Sequence, residues 1–174
     1  RAFLGALATA PLALATARAA AGVAPATASG GPSLLIPMDD AQTNHLKAYG
    51  IVFHAIERDG RSEWLLNYRG GSFLLPDEPV ARRAAALAGV LLEPVTAADV
   101  VDIRGTIEQN NMDALPLERV PRVAIYTPPN APPWDDAVTM AVRYAEIPFT
   151  TVWDPEVIGG RLHDFDWLHL HHED

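Results

Sequence analysis

Three short apolar runs close to the end of the chain restrict the fold more than any other feature. Val123-Ala124-Ile125-Tyr126, Phe149-Thr150-Thr151-Val152-Trp153 and Trp167-Leu168-His169-Leu170-His171 have the length and the β-branched or aromatic content of strands. Between the first two, Ala137, Val138, Ala141, Val142 and Ala145 recur at helical spacing, and Asp135 or Asp136 stands where an N-cap belongs. Strand, helix and strand at this spacing form a parallel pair joined by a right-handed crossover. The three runs are therefore expected to be parallel neighbours in one sheet. Pro128, Pro129, Pro132 and Pro133 fall in the intervening loop, because each proline lacks the N–H that a central strand needs.

Upstream the alternation continues. Leu34-Leu35-Ile36-Pro37 reads as a buried strand. Asp39 or Asp40 can cap a following helix that carries Leu46, Tyr49, Phe53 and Ile56 on one face and stops at Asp59-Gly60. Trp64–Tyr68 and Phe73–Leu75 read as strands separated by the turn Arg69-Gly70-Gly71-Ser72. Pro76 to Ala88 reads as a helix with Val80, Ala84 and Leu87 inward. Val90–Leu92 is strand-like, and Thr96 or Asp99 starts a helix with Val100, Ile103 and Ile107 on one face. The whole pattern predicts a three-layer α/β fold with a mostly parallel, flavodoxin-like sheet.

A chain of 174 residues has room for one domain, and 49% apolar content supplies a core, which excludes wholesale disorder. The 22 acidic residues outnumber the 13 basic ones, for a net charge of −9. That balance argues against a nucleic-acid partner, which needs a basic face to displace counterions. There is no cysteine, which excludes disulfides, zinc–thiolate sites and a thiol nucleophile within these residues.

Residues 1–28 hold 13 alanines and no acid, and Ala2 to Ala17 carry no charge. A leading Arg1, a short apolar stretch and small-x-small sites such as Ala19-Ala20-Ala21 are the parts of a secretory signal peptide. Residues 1–21 are assigned to it, and Arg1-Ala2-Phe3-Leu4-Gly5 resembles the second half of a twin-arginine signal. Residues 22–33, rich in Gly, Pro, Ala and Ser, read as a linker, and 34–174 as the α/β domain. The expected location is periplasmic or extracellular, with no stable membrane span once the signal is removed. The chain has no initiator methionine and is read as an N-terminal piece of a longer protein.

Four of the six histidines fall in the last twelve residues. His169 and His171 lie two apart on one strand face, and His172 and Glu173 follow where the strand leaves the sheet. Ligands of open α/β sheets collect at that carboxyl end, so His169, His171, His172 and Glu173 are cleft candidates. An H-x-H pair also suits a divalent ion, but residue types alone do not fix ligand geometry, and no metal or cofactor is assigned. Arg69, Gly70, Gly71 and Ser72 are candidates for an anion or ligand site, since glycines can turn backbone N–H groups toward an anion and Arg69 can add a bidentate contact. The competing reading of that segment is a tight turn. The N-terminus of the helix after Val123–Tyr126 is a possible anion site in principle, but Asp135 and Asp136 occupy it, so capping is the reading adopted.

Four longer runs carry a family resemblance: LLIPMDDAQTNHLKAYG at 34–50, EWLLNYRGGSFLLP at 63–76, VAIYTPPNAPPWDDAVTMAVRYAEIPFTTVWD at 123–154 and DFDWLHLHHED at 164–174. Together they resemble an exported bacterial family labelled asparagine synthetase B, with a class I glutamine amidotransferase-like fold. The resemblance implies further α/β structure beyond Asp174, including a Cys-containing turn. By that label the activity would be glutamine-hydrolysing asparagine synthesis. The chain lacks the N-terminal cysteine and the SGGxDS loop which that chemistry uses, and its one Ser-Gly-Gly, at Ser29-Gly30-Gly31, lies in the linker without the Asp. No catalytic residue is assigned. Two functions stay open: an exported amidotransferase-like enzyme, and a non-catalytic periplasmic module binding a small molecule.

Overall fold

The computed structural model describes residues 32–59, 61–132 and 135–171. The expected signal peptide, the linker up to residue 31, and the cleft candidates His172 and Glu173 lie outside the described residues. Ser33, assigned to the linker, is the first residue of a strand.

The first half of the chain builds one sheet from β1 (Ser33–Ile36), β2 (Ser62–Leu66), β3 (Ser72–Pro76), β4 (Glu93–Val95) and β5 (Asp113–Leu117). Its order is β4-β1-β3-β2-β5, and every pairing is antiparallel. The mostly parallel sheet expected from the alternation is thus corrected for this half. The reason lies in the connection between β2 and β3. Five residues, 67–71, join them, and a link that short can only reverse the chain, because a parallel neighbour needs a crossover of a dozen or more residues. With α1 (His45–Asp59) and α2 (Pro79–Ala88), the first four strands trace a β-α-β-β-α-β path in the order 4-1-3-2, a split βαβ arrangement. α3 (Ala97–Gln109) then carries the chain to β5 at the opposite edge.

Helices cover both faces of this sheet. Leu34 and Ile36 point into a core shared with α1 and α2, and Leu35 points into a second core with Ile103 and Ile107 of α3. β3 alternates in the same way, Phe73 and Leu75 to one side and Leu74 to the other. An unbroken apolar run in a strand is the mark of burial on both faces. Each such leucine or isoleucine contributes about 1.5–3 kcal/mol by leaving water.

The helices differ from the sequence reading in their inward faces. α1 is capped by Asn44 rather than by Asp39 or Asp40: the Asn44 Oδ1 accepts the Lys47 N–H at 3.3 Å, and Asp39 is drawn to Arg69 instead. Its buried stripe is Ala48, Ile51, Val52, Phe53 and Ala55, while Leu46 and Tyr49 are exposed. In α2 the inward residues are Ala81 and Ala85; Val80 and Leu87 face solvent. The strand expected at Val90–Leu92 forms three residues later, as β4.

Ser62 is the one residue of β2 that fits its surroundings poorly. It is 2% exposed, and its Oγ has no hydrogen-bond partner among the described residues. A buried hydroxyl without a partner costs about 1–3 kcal/mol. Ser62→Ala is expected to raise the denaturation midpoint in urea with an unchanged slope. A lower midpoint would mean that the hydroxyl has a partner after all.

The second half is a three-stranded parallel sheet. β6 (Val123–Tyr126) lies in the centre, flanked by β7 (Thr150–Val152) and β8 (Trp167–Leu170). These are the three runs expected to be parallel neighbours, β6 at its expected bounds, β7 shorter by two residues and β8 by one. α4 (Ala137–Tyr144) links β6 to β7; α5 (Asp154–Ile158) and a 3-10 turn link β7 to β8. Val142 and Ala145 of the α4 segment are buried, Ala141 is half-buried, and Ala137 and Val138 are exposed.

The two sheets are held together by side chains. α1 packs on α4, with Lys47 Nζ 2.8 Å from Glu146 Oε1, the His54 Nε2 2.9 Å from the Glu146 carbonyl oxygen, and the Asn44 amide donating to Tyr144 Oη at 3.0 Å. Gly50 makes this contact possible, since a Cβ there would overlap the Ala145 carbonyl oxygen. Asp166, at the foot of β8, takes Arg119 and Arg122 from the β5–β6 connection, and these hydrogen bonds hold its carboxyl far below the usual range. No helix among the described residues is long and apolar enough to cross a membrane.

Candidate functional site

Each parallel strand ends at the same edge of its sheet, and the residue that follows each one lines a single cavity. Thr127 follows β6, Trp153 follows β7 and His171 follows β8. The cavity measures about 250 Å³. Pro128, Pro129 and Pro132 of the loop after β6 form one wall, and Thr139 and Arg143 of α4 another. Three prolines leave that wall short of backbone N–H groups, and two of the remaining donors are used inside the loop: Ala131 N–H bonds the Pro128 carbonyl and Asp135 N–H the Pro132 carbonyl. Polar recognition here therefore falls to side chains.

Four of those side chains are available. The Thr127 and Thr151 hydroxyls have no hydrogen-bond partner among the described residues. Arg143 makes no ion pair there; its guanidinium lies 5.7 Å from the centre of the Phe149 ring. His171 Nδ1 is buried and has no partner among the described residues, although its backbone N–H is held by the Tyr126 carbonyl at 3.0 Å. Glu156 also borders the cavity, but its Oε2 accepts the Trp153 N–H at 2.9 Å and caps α5. Trp153 packs on Tyr126 with ring centres 4.6 Å apart, and the Tyr126 hydroxyl donates to Asp154 Oδ1 at 2.6 Å, which fixes the aromatic wall.

The other cleft candidate on β8 has a different role. His169 Nε2 meets Asp136 Oδ2 at 2.9 Å, and that oxygen also accepts the Thr139 N–H at 2.7 Å and hydroxyl at 2.6 Å. Asp136 is the N-cap of α4 and is 5% exposed. Burial alone pushes its carboxyl up, but the two Thr139 bonds and the His169 ring outweigh that and hold it down at about 2. His169 thus ties β8 to the start of α4 and does not line the cavity. As expected, the helix N-terminus is occupied by its own carboxylate.

The Arg69 segment is a hairpin connection. Asn67, Arg69, Gly70 and Gly71 all have positive φ, and a Cβ at Gly70 would overlap the Met38 carbonyl oxygen. The Arg69 guanidinium bonds Asp39 at 2.7 Å and Glu93 at 2.6 and 3.0 Å, which raises its pKa above the ordinary range. Ser72 is fully buried and donates to the Arg69 carbonyl at 3.0 Å. The cation expected for an anion is neutralised twice within the chain. The hollow beside it, about 370 Å³, adds Asp99 and Asp102 to its walls, so an incoming anion meets negative charge.

Among the described residues, no group of three or more His, Asp or Glu is placed to hold a metal ion. Comparisons with protein-family models, with curated proteins and with solved structures return no match to this chain. Of the residues singled out in the sequence, His171 lines this cavity, and Thr127, Trp153 and Arg143, which were not singled out, line it too. For Thr127 and Trp153 the signal was present, since a residue directly after a parallel strand stands at the binding edge.

Proposed function

We propose that this chain is an exported, amidotransferase-like α/β protein that binds a small polar molecule at the carboxyl edge of its parallel sheet. The observation that carries the proposal is the convergence of Thr127, Trp153 and His171 on one cavity. The order β7-β6-β8 supports the finer fold reading. It is second-first-third along the chain, the order in which a flavodoxin-like doubly wound sheet begins, and the ligand crevice of such sheets opens where the order reverses. Resemblance to the family labelled asparagine synthetase B supports the amidotransferase-like assignment, and the alanine-rich, acid-free start of the chain supports export. An acidic chain of net charge −9 suits a small-molecule partner better than a nucleic acid.

Binding is the favoured activity, because the cavity offers donors and an aromatic wall but no thiol or serine among its lining residues. A second reading rests on the Asp136–His169 pair. A carboxylate that fixes one imidazole nitrogen is how acid–base catalysts are oriented, so an enzymatic role would use the other nitrogen of His169.

NMR mapping with a small-fragment set tests the site. Fragments that bind are expected to shift the amides of Thr127, Trp153 and His171. His171→Leu is expected to abolish those shifts while leaving the melting temperature unchanged or higher, because it removes an unpartnered buried nitrogen. Fragments that shift only residues around Arg69 or between α1 and α2 would move the site elsewhere.

A further inference from the structure

We infer that the molecule held in this crevice carries an oxyanion of the carboxylate or phosphate class, placed on Arg143, with a flat apolar body along Trp153 and the prolines. The inference rests on the crevice being the binding site and adds the chemistry of its occupant.

The first observation is the pairing of charges. Acids exceed bases by 22 to 13, so a guanidinium has no shortage of carboxylates. Lys47, Arg69, Arg82, Arg104 and Arg122 each hold one at 3.1 Å or less. Among the described residues Arg143 and the solvent-facing Arg83 hold none, and of the two only Arg143 borders a cavity, which Glu156 borders as well. Glu156 is engaged at the Trp153 N–H, and Arg143 is steadied instead by the Phe149 ring; a guanidinium can take an oxyanion by bidentate contact.

The second observation concerns the remaining donors. The Thr127 and Thr151 hydroxyls are unengaged, and His171 has an imidazole nitrogen without a partner. Prolines and the Trp153 ring supply the apolar part of the wall. A cavity of about 250 Å³ takes a single ring with one acid group and little more. With α4 capped by Asp136 and the loop poor in free N–H groups, the backbone offers an oxyanion little, so Arg143 is the group that decides.

The test uses benzoate, phenyl phosphate and neutral benzamide as probes, titrated calorimetrically into the complete chain in a buffer free of carboxylate and phosphate. Either anion is expected to bind at least about tenfold more tightly than benzamide. Whichever anion binds better identifies the class. Arg143→Gln should remove that advantage, while Arg83→Gln, on the exposed side of α2, should keep it. Glu156→Gln should tighten anion binding by removing a like charge while keeping an acceptor for the Trp153 N–H. Benzamide binding as tightly as both anions overturns the oxyanion and leaves the crevice to the fragment mapping. Failure of both anions to bind at millimolar concentration overturns it too, whatever that mapping gives. Anion binding that survives Arg143→Gln unchanged overturns the assignment to Arg143.

Discussion

Gly50→Ala is expected to destabilise the protein by about 3 kcal/mol, although the same change in an isolated helix would stabilise it by nearly 1 kcal/mol. The added Cβ would overlap the carbonyl oxygen of Ala145. A backbone oxygen has no rotamer through which to move aside, so α1 and α4 must separate. That separation also strains the Lys47–Glu146 and His54–Glu146 contacts between the two sheets. Because α4 carries Thr139 and Arg143, the crevice should lose affinity as well. Gly105→Ala is the control. A Cβ there meets nothing closer than the Gln109 amide at 3.9 Å, so the helix α3 should gain about 0.5–1 kcal/mol. Urea denaturation of both variants checks the pair. Equal effects from the two glycines would mean that the α1–α4 contact does not hold the halves together.

The parallel half was legible because its signals are local and redundant. Apolar runs, a loop of prolines and Asp136 before an amphipathic helix all point one way, and β6, β7 and β8 formed as expected. In the first half the turn Arg69–Ser72 is itself legible in the sequence, and a link that short makes the strands it joins antiparallel, whereas the apolar runs around it carry no direction. β5 gave little signal: Asp113-Ala114-Leu115-Pro116-Leu117 contains a proline, which an edge strand tolerates and a central strand does not. In α2 helical spacing alone favours the larger apolar residues as the inward face. The alanines face in because α2 packs closely on α1 and the sheet, and Val80 and Leu87 are left outside.

The site was legible at the level of the sheet edge and not at the level of side chains. A period of two places His169 and His171 on one face, and the sequence treats them alike. What separates them is Asp136, 33 residues away, which takes His169 and leaves His171. The partners of Arg69 were out of reach of the sequence for a similar reason. Its partners Asp39 and Glu93 are 30 and 24 residues distant, and only the order β4-β1-β3 brings them to the same end of the sheet. Long-range charge pairing of this kind follows from topology, so a wrong sheet order hides it.

Asp136 carries the other large effect. Its carboxylate satisfies the first turn of α4 and the His169 ring at once, inside the protein. Asp136→Ala removes the cap and leaves the Thr139 hydroxyl and His169 Nε2 without a partner. The expected loss is about 3 kcal/mol at neutral pH. Asp136→Asn keeps an acceptor for the Thr139 N–H and should lose less. The sign of the pH dependence follows from the lowered pKa. The folded value of about 2 lies below the ordinary 3.8, so the ionised carboxylate favours the folded state at and above pH 3.8. That contribution fades as the pH falls from 3.8 through about 2, because protonation then becomes equally available to both states. Wild type and Asp136→Asn should therefore differ in urea midpoint near neutral pH and converge toward pH 2. Other acids titrate in the same range, and comparing the two proteins cancels them. A gap that stays constant down to pH 2 would place the value of Asp136 in its shape and hydrogen bonds rather than in its charge, and would remove the ionised Asp136–His169 contact from the account of what anchors α4 beside the crevice.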